Sequence, residues 1–265
     1  MRALADIARL EESLCAIALG EVARESMPVA GGTAGRGVTG SWVDRAEGLG
    51  FHGPVTRADI ARVVAWYEGA GHEAQVKVSP YADASLAAHL GDAGFRLARF
   101  ESVLFLELGS RARIPALPPT GIVIRTVDPG DSAAVRELAI LVSVGFAPPG
   151  AAVNEDELEP MIRGIRRDRA VTLGAYADGR CVAGCGMERH EDLVGLYGLV
   201  VAEPYRRRGI QQAMIAARLD LAARRGAAIA TIGAAPGIAT ERNARRFGFQ
   251  GAYSRAVLIK PRAGA

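Results

Sequence analysis

The sequence predicts an α/β protein made of two similar domains, each a mixed, mostly antiparallel sheet with helices on both faces. Three observations predict it. After residue 120, strand-like runs and helical patterns alternate as far as Lys260. An apolar strand, Leu193–Val201, runs through a basic turn, Arg206-Arg207-Arg208-Gly209, into a long helical pattern. The first half repeats the second at one ungapped offset of 154 residues, the mark of an internal duplication. At that offset Leu90–Phe95 falls on Ala244–Phe249, with Gly94 on Gly248. Val103-Leu104 falls on Val257-Leu258, Ala74–Ser79 on Ala228–Gly233, and the helical stretch Arg57–Ala70 on Gln211–Arg224.

The elements of the second half follow in order. Ile122–Arg125 is a strand, and Asp131 or Ser132 caps a helix reaching about Val144. Glu155–Arg167 is helical, with Pro160 placed near its first turn. Val171–Tyr176 and Arg180–Arg189 are strands joined by Ala177-Asp178-Gly179, a strong hairpin signal. Leu193–Val201 is the next strand. The helix after the turn puts Ile210, Met214, Ala217 and Leu221 on one face and ends at Gly226. Ala227–Ile232 is a strand, Glu241–Phe247 a short helix, and Phe249–Lys260 holds two strands. Upstream, Gly109–Thr120, with Pro115, Pro118 and Pro119, reads as a linker. The domains are therefore expected at residues 1–110 and 121–265, around a linker at 111–120. Glu25–Gly40 is glycine-rich and reads as a loop.

Composition bounds the function. At 265 residues and 49 % hydrophobic, the chain can bury one large core or two small ones. A net charge of +3 is too mild to indicate a polyanion partner, so no nucleic acid is expected. Lys77 and Lys260 are the only lysines, and arginine suits phosphate recognition. Cys15, Cys181 and Cys185 give no disulfide framework. Cys181 and Cys185 would lie about 13 Å apart on one strand at ~3.3 Å per residue. They also lack the partners of a metal site, so no metal is expected. No signal segment or membrane-length apolar run is evident, and the expectation is a cytoplasmic protein.

The turn carries the chemistry. A helix start presents N–H groups without partners at the positive end of the dipole, and glycine lets an anion approach the backbone. A diphosphate can sit there. The pattern is neither a P-loop, since Ile210 and Gln211 follow Gly209, nor a dinucleotide fingerprint, which needs three spaced glycines. It resembles the acetyl-CoA loop of the GNAT acetyltransferase superfamily, Gln/Arg-x-x-Gly-x-Gly/Ala, here Arg206-Arg207-Arg208-Gly209-Ile210-Gln211. Gln211 stands where a small residue is usual. The resemblance covers about Thr120–Lys260, because the element order β-α-α-β-β-β-turn-α-β-α-β-β matches as well.

The resemblance implies two GNAT-like domains and a fourth strand splayed from its neighbour in the C-terminal copy. It implies acetyl-CoA as co-substrate and direct transfer of acetyl to an amine, on a small molecule or a peptide, with no membrane partner. The diphosphate would be held by Arg206, Arg207, Arg208, Gly209, Ile210, Gln211 and Gln212. The pantetheine arm would pair with Leu199, Val200 and Val201, with help from Asn243. The family's usual acid, a tyrosine four residues before the Gly-Phe pair, is Ala244 here. Tyr197, on the fourth strand, is then the catalytic candidate. Strand alternation would put it on one face with Gly195, Leu199 and Val201. Glu188, His190 and Tyr253 are further candidates, with Glu188 and His190 expected at the surface. The N-terminal copy has His52-Gly53-Pro54-Val55-Thr56-Arg57 in place of the turn, and Pro54 removes a donor. Only the C-terminal half is expected to bind cofactor, as a monomer or homodimer. The alternative is an acyl-CoA binder or sensor that has lost catalysis.

Overall fold

The computed structural model describes residues 2–109, 117–148 and 153–261. Most of the expected linker lies outside these residues. The chain forms two compact units. Unit 1 is Met1–Leu104 with Ala234–Glu241 and Gly251–Ala265; unit 2 is Phe105–Gly233 with Arg242–Gln250.

Unit 1 opens with helix α1 (Leu4–Val22), followed by β1 (Glu25–Val29), β2 (Gly32–Arg36) and β3 (Arg45–Glu47). Helix α2 (Arg57–Glu68), β4 (Ala74–Val78), α3 (Ala84–Asp92) and β5 (Arg96–Glu107) complete its N-terminal part. The expected loop at Glu25–Gly40 is instead the β1–β2 hairpin, with Val29 opposite Gly32. Its glycines serve strand packing as well as turning. Gly31 takes φ +78 in the turn, and a Cβ on Gly32 would meet the Glu47 carbonyl oxygen at 2.3 Å. Strand β3 runs parallel to β4 at Ala46↔Val76. The core gathers Val29, Ile60, Val63, Tyr67, Val76, Leu86 and Leu90 between sheet and helices.

The last strand of the chain, β11 (Gln250–Lys260), belongs mostly with this unit and pairs antiparallel with β4, Ala256↔Val78 through Lys260↔Ala74. It is one continuous strand where the sequence suggested two. It brings Tyr253 and Arg255 onto a buried ionic cluster. The Arg255 guanidinium lies 3.2 Å from Glu12, 3.5 Å from Glu11 and 3.4 Å from Glu101. Lys77 bridges Glu47 and Glu101 at 2.9 Å each, and Glu47 also pairs with Arg45 at 2.8 Å. Burial alone would raise the Glu47 carboxyl, but Arg45 and Lys77 hold it well below the usual range.

Glu12 behaves oppositely. It accepts from the Tyr253 hydroxyl at 2.7 Å, while its Oε2 is buried without a partner. Burial outweighs the Arg255 charge and raises its pKa. A carboxyl whose folded pKa exceeds its unfolded value contributes stability at low pH and loses it as pH rises through the folded value. Glu12→Gln should therefore raise the melting temperature at pH 8 and leave it near wild type at pH 4. An equal shift at both pH values would refute the assignment of Glu12 as the proton-holding member.

Unit 2 contains β6 (Val123–Thr126), α4 (Ser132–Phe146), α5 (Glu155–Arg166), β7 (Ala170–Ala177), β8 (Arg180–His190) and β9 (Leu193–Val201). A short 3-10 turn (Glu203–Tyr205), α6 (Ile210–Arg224), β10 (Ile229–Ala234) and α7 (Ala239–Arg246) follow, α7 beginning in residues assigned to unit 1. Asp131 caps α4 by accepting from Ala133 and Ala134 N–H at 3.1 Å. Asp178 (φ +48) and Gly179 (φ +80) make the tight β7–β8 turn. Pro160 lies inside α5, beyond its first turn. The strand order is β10-β9-β8-β7-β6, antiparallel except for the parallel β9–β10 pair. A parallel pair at the corresponding place, β3–β4 and β9–β10, marks the two units as copies of one fold. The ends of helix α2, β4, α3 and β5 lie within two residues of those of α6, β10, α7 and β11 after the offset of 154. Among the described residues no helix is long and apolar enough to cross a membrane.

Candidate functional site

Strand β9 departs from its neighbours at its C-terminal end. Its parallel ladder with β10 stops at Leu196↔Ile232, although β9 continues to Val201. Backbone groups of Tyr197–Val201 on that side have no ladder partner in β10, so the fourth strand is splayed as expected. Towards β8 the register slips. Gly186 faces Tyr197 and Gly184 faces Val200, so Cys185 stands opposite two residues, Gly198 and Leu199. This is a β-bulge, with Gly198 at φ +64.

The bulge corrects the expected alternation. Tyr197 does not share a face with Leu199 and Val201. Its ring lies over Gly186, where a Cβ would come within 2.3 Å of it. Val200 is on that same face, pressed against Gly145 of α4, where a Cβ would come 2.1 Å from Val200. Leu199 and Val201 pack against the cluster containing Ile210 and Met214 of α6. The extra residue reverses the pleat between 197 and 199.

Beyond β9 the chain turns through two left-handed residues, Arg207 (φ +61) and Gly209 (φ +81), into α6. The first amide of the helix to find a backbone acceptor is Ala213, bonded to the Gly209 carbonyl at 3.1 Å. Among the described residues the six amides Arg207–Gln212 donate to no protein acceptor. Space does not demand the glycine. A Cβ at Gly209 would only touch Pro119 at 3.7 Å, so the requirement is the positive φ. The arginine side chains frame the turn. Arg206 Nε donates to the Val201 carbonyl at 3.1 Å, and Arg208 lies over the Tyr205 ring at 5.1 Å. Gln211 accepts from the Asn243 amide at 2.7 Å, which ties α6 to α7. Ala244 is fully buried.

The same place in unit 1 is closed. The Val55 N–H donates to Ser85 Oγ at 2.8 Å. Thr56 and Asp59 form a capping box at the start of α2, with Asp59 N–H to Thr56 Oγ1 at 3.1 Å. The amides of Val55, Thr56 and Asp59 have side-chain partners, and the Asp59 carboxylate occupies the end where an anion would bind. The residues matching Leu199 and Val201 at the offset are Arg45 and Glu47, paired with each other.

On the Tyr197 face the structure adds a residue that sequence reasoning missed. Arg167, at the end of α5, forms two contacts with Glu188, of 2.5 and 3.0 Å, and reaches the Tyr197 hydroxyl at 3.5 Å. Glu188 is 2 % exposed, not a surface residue, and its carboxylate is engaged in this pair. His190 lies further along β8, 4.0 Å from Glu191. Burial of its hydroxyl end pushes Tyr197 up to about 12, against the opposing Arg167 charge. The residue is nevertheless 39 % exposed, so it can be reached from solvent. Tyr253 is in unit 1, committed to Glu12. The environment of the thiols disfavours the thiolate. Burial pushes Cys181 up to about 11 and raises Cys185 and Cys15 as well.

Residues 142–249 match the model of the Acetyltransferase (GNAT) family, a match that takes in β9, the turn and α7. By that match, residues 142–249 form a GNAT domain. The whole chain shares its fold with solved GNAT proteins. A GCN5-related N-acetyltransferase from Kribbella flavida has a TM-score of 0.68 at 16 % identity, over 99 % of this chain and 97 % of that one. A GCN5-related N-acetyltransferase from Sphaerobacter thermophilus scores 0.54 at 23 % identity, over 71 % of this chain and 59 % of that one. A tandem GNAT protein from the clavulanic acid biosynthesis pathway scores 0.57 at 17 % identity, over 78 % and 70 %. Sequence comparison with curated proteins gives no significant match. The GNAT family is one of acyltransferases, and a tandem arrangement of the fold is shared with the clavulanic acid pathway protein.

Proposed function

We propose that unit 2 transfers acetyl from acetyl-CoA to an amine, and that the N-terminal copy, residues 1–110, binds no cofactor. The observation that supports this most is the run of free amides, Arg207–Gln212, beside a strand with an unpaired edge. The amides and the helix dipole suit a diphosphate, and the arginines add charge around it. The free edge of Leu199, Val200 and Val201 suits an amide-bearing arm. Asn243 donates to Gln211 beside the turn and so helps to hold it. No group of three metal-ligating side chains occurs among the described residues.

In the transfer, the neutral amine nitrogen attacks the thioester carbonyl carbon. A C–N bond forms, the C–S bond breaks, and the sulfur leaves with the electron pair. The amine proton passes to solvent and the thiolate takes one up. An exposed β9 N–H is suited to stabilise the carbonyl oxygen as charge develops. With a pKa near 12, Tyr197 stays protonated at neutral pH, so it donates rather than acts as base. Its pKa lies above that of an ordinary thiol, about 8.5, so it stabilises the departing thiolate by hydrogen bonding without giving up its proton. Tyr197→Phe should lower kcat by about 10–100-fold and leave the acetyl-CoA KM nearly unchanged. Steady-state kinetics would decide it, and an unchanged kcat would remove Tyr197 from the mechanism.

The decisive test of the function is release of free CoA thiol when the protein is incubated with acetyl-CoA and a panel of amines. A second reading, an acyl-CoA sensor without catalysis, is favoured by Ala244 in the acid position and by Glu188 locked to Arg167. Tight acetyl-CoA binding by calorimetry with no thiol release from any amine would establish that reading instead.

A further inference from the structure

We propose that Arg218 of α6 is a positioning residue that holds the β9 bulge, and through it the gap that receives the pantetheine arm. The inference rests on the acyl-CoA reading of unit 2. Arg218 is fully buried, in a helix whose neighbouring buried residues are apolar, Met214, Ile215, Leu219 and Ala222. Its Nη1 donates to the Gly186 carbonyl at 3.1 Å and the Tyr197 carbonyl at 3.3 Å. Its Nε donates to Met214 O at 3.3 Å, and its Nη2 is buried without a partner. Among the described residues no carboxylate forms an ion pair with it.

A buried, unpaired guanidinium is costly, and natural interiors keep one only where it does something a hydrophobe cannot. Here it serves the last regular pair before the register slip, Gly186↔Tyr197. Where two residues of β9 oppose one of β8 the ladder is locally disrupted, and Arg218 reaches one carbonyl of each strand from the helix side. That lets β9 bend away from this point with the Tyr197 carbonyl still bonded.

The duplication provides an internal control. At the offset of 154, Arg218 corresponds to Val64, which packs in the unit 1 core. There the β2–β3 ladder is only three pairs long, Thr33↔Glu47, Ala34↔Ala46 and Gly35↔Arg45, and it starts at the residue matching Leu199, so no bulged strand stands where Tyr197 and Gly198 do in unit 2. The copy with the open amide turn has both the bulge and the arginine. The copy with the capped turn has neither.

The test compares two ligands by calorimetry. Acetyl-CoA spans turn and strand; 3′-phosphoadenosine 5′-diphosphate is its nucleotide half, without the pantetheine arm. Arg218→Met should weaken acetyl-CoA by about tenfold and leave the nucleotide half within about twofold, since one to two net hydrogen bonds are at stake. Arg218→Lys, which can satisfy one carbonyl, should fall between. Gly198→Ala strains the bulge at φ +64 without a steric clash and should reproduce the selective loss. Unchanged binding of both ligands overturns the proposal, and so does a parallel loss of both, which would mean general damage. If Arg218→Met does not fold, the Lys and Gly198 variants decide by the same ratio. Wild-type protein that binds neither ligand would instead overturn the acyl-CoA reading itself.

Discussion

Gly209→Pro is expected to remove measurable CoA binding, a loss of at least about a hundredfold, equivalent to roughly 3 kcal/mol. Proline fixes φ near −65°, whereas Gly209 sits at φ +81, so the turn cannot keep its path. The substitution also deletes one of the six free amides. Gly209→Asn separates these effects. Asparagine keeps the amide and enters the left-handed region more readily than other side chains, so it should cost only severalfold. Arg206→Ala should be milder still, because its Nε is occupied by the Val201 carbonyl and its charge only supplements the amides. Calorimetric titration with acetyl-CoA orders the three variants. Wild-type affinity in Gly209→Pro would move the diphosphate elsewhere and dismiss the turn as the site.

Much of this was legible in the sequence because duplication preserves spacing. The segment from α2 to β5 has nearly the same lengths as that from α6 to β11, so a fixed offset of 154 aligns helices and strands in the sequence itself. The turn was legible because glycine and helix start are local signals. Long-range pairing was not. Nothing local in Gln250–Lys260 says that it joins β4, nearly two hundred residues earlier, rather than a strand of its own half. The bulge was half visible. Gly198 inside an apolar strand is a known sign of one, but strict alternation puts Tyr197 on the wrong face. The β1–β2 hairpin was hidden because its glycines, read as flexibility, serve close strand contact. Arg218 gave no signal, since a charged residue in an alanine-rich helix reads as solvent-facing. Only the carbonyls that receive it, on two other strands, show why it is buried.

The long-range pairing leads to the second large effect. Arg255→Met should destabilise unit 1 by about 3–5 kcal/mol, the usual cost of stranding buried charges by removing one partner. Arg255 is 3 % exposed and lies within 3.5 Å of both Glu11 and Glu12. Lys77 remains beside Glu101 in the variant, so the damage falls on the α1 carboxylates. The readout is selective, because both tryptophans of the chain, Trp42 and Trp66, lie in unit 1. A urea titration followed by tryptophan fluorescence therefore reports unit 1 even though the substitution is ten residues from the C-terminus. Adding Glu12→Gln should restore part of the loss, since a neutral side chain no longer needs the cation. The two changes would then be non-additive, as expected for groups in contact. A tryptophan transition that stays put in Arg255→Met would show that the C-terminal strand does not stabilise the first unit, and the division of the chain into these two units would have to be redrawn.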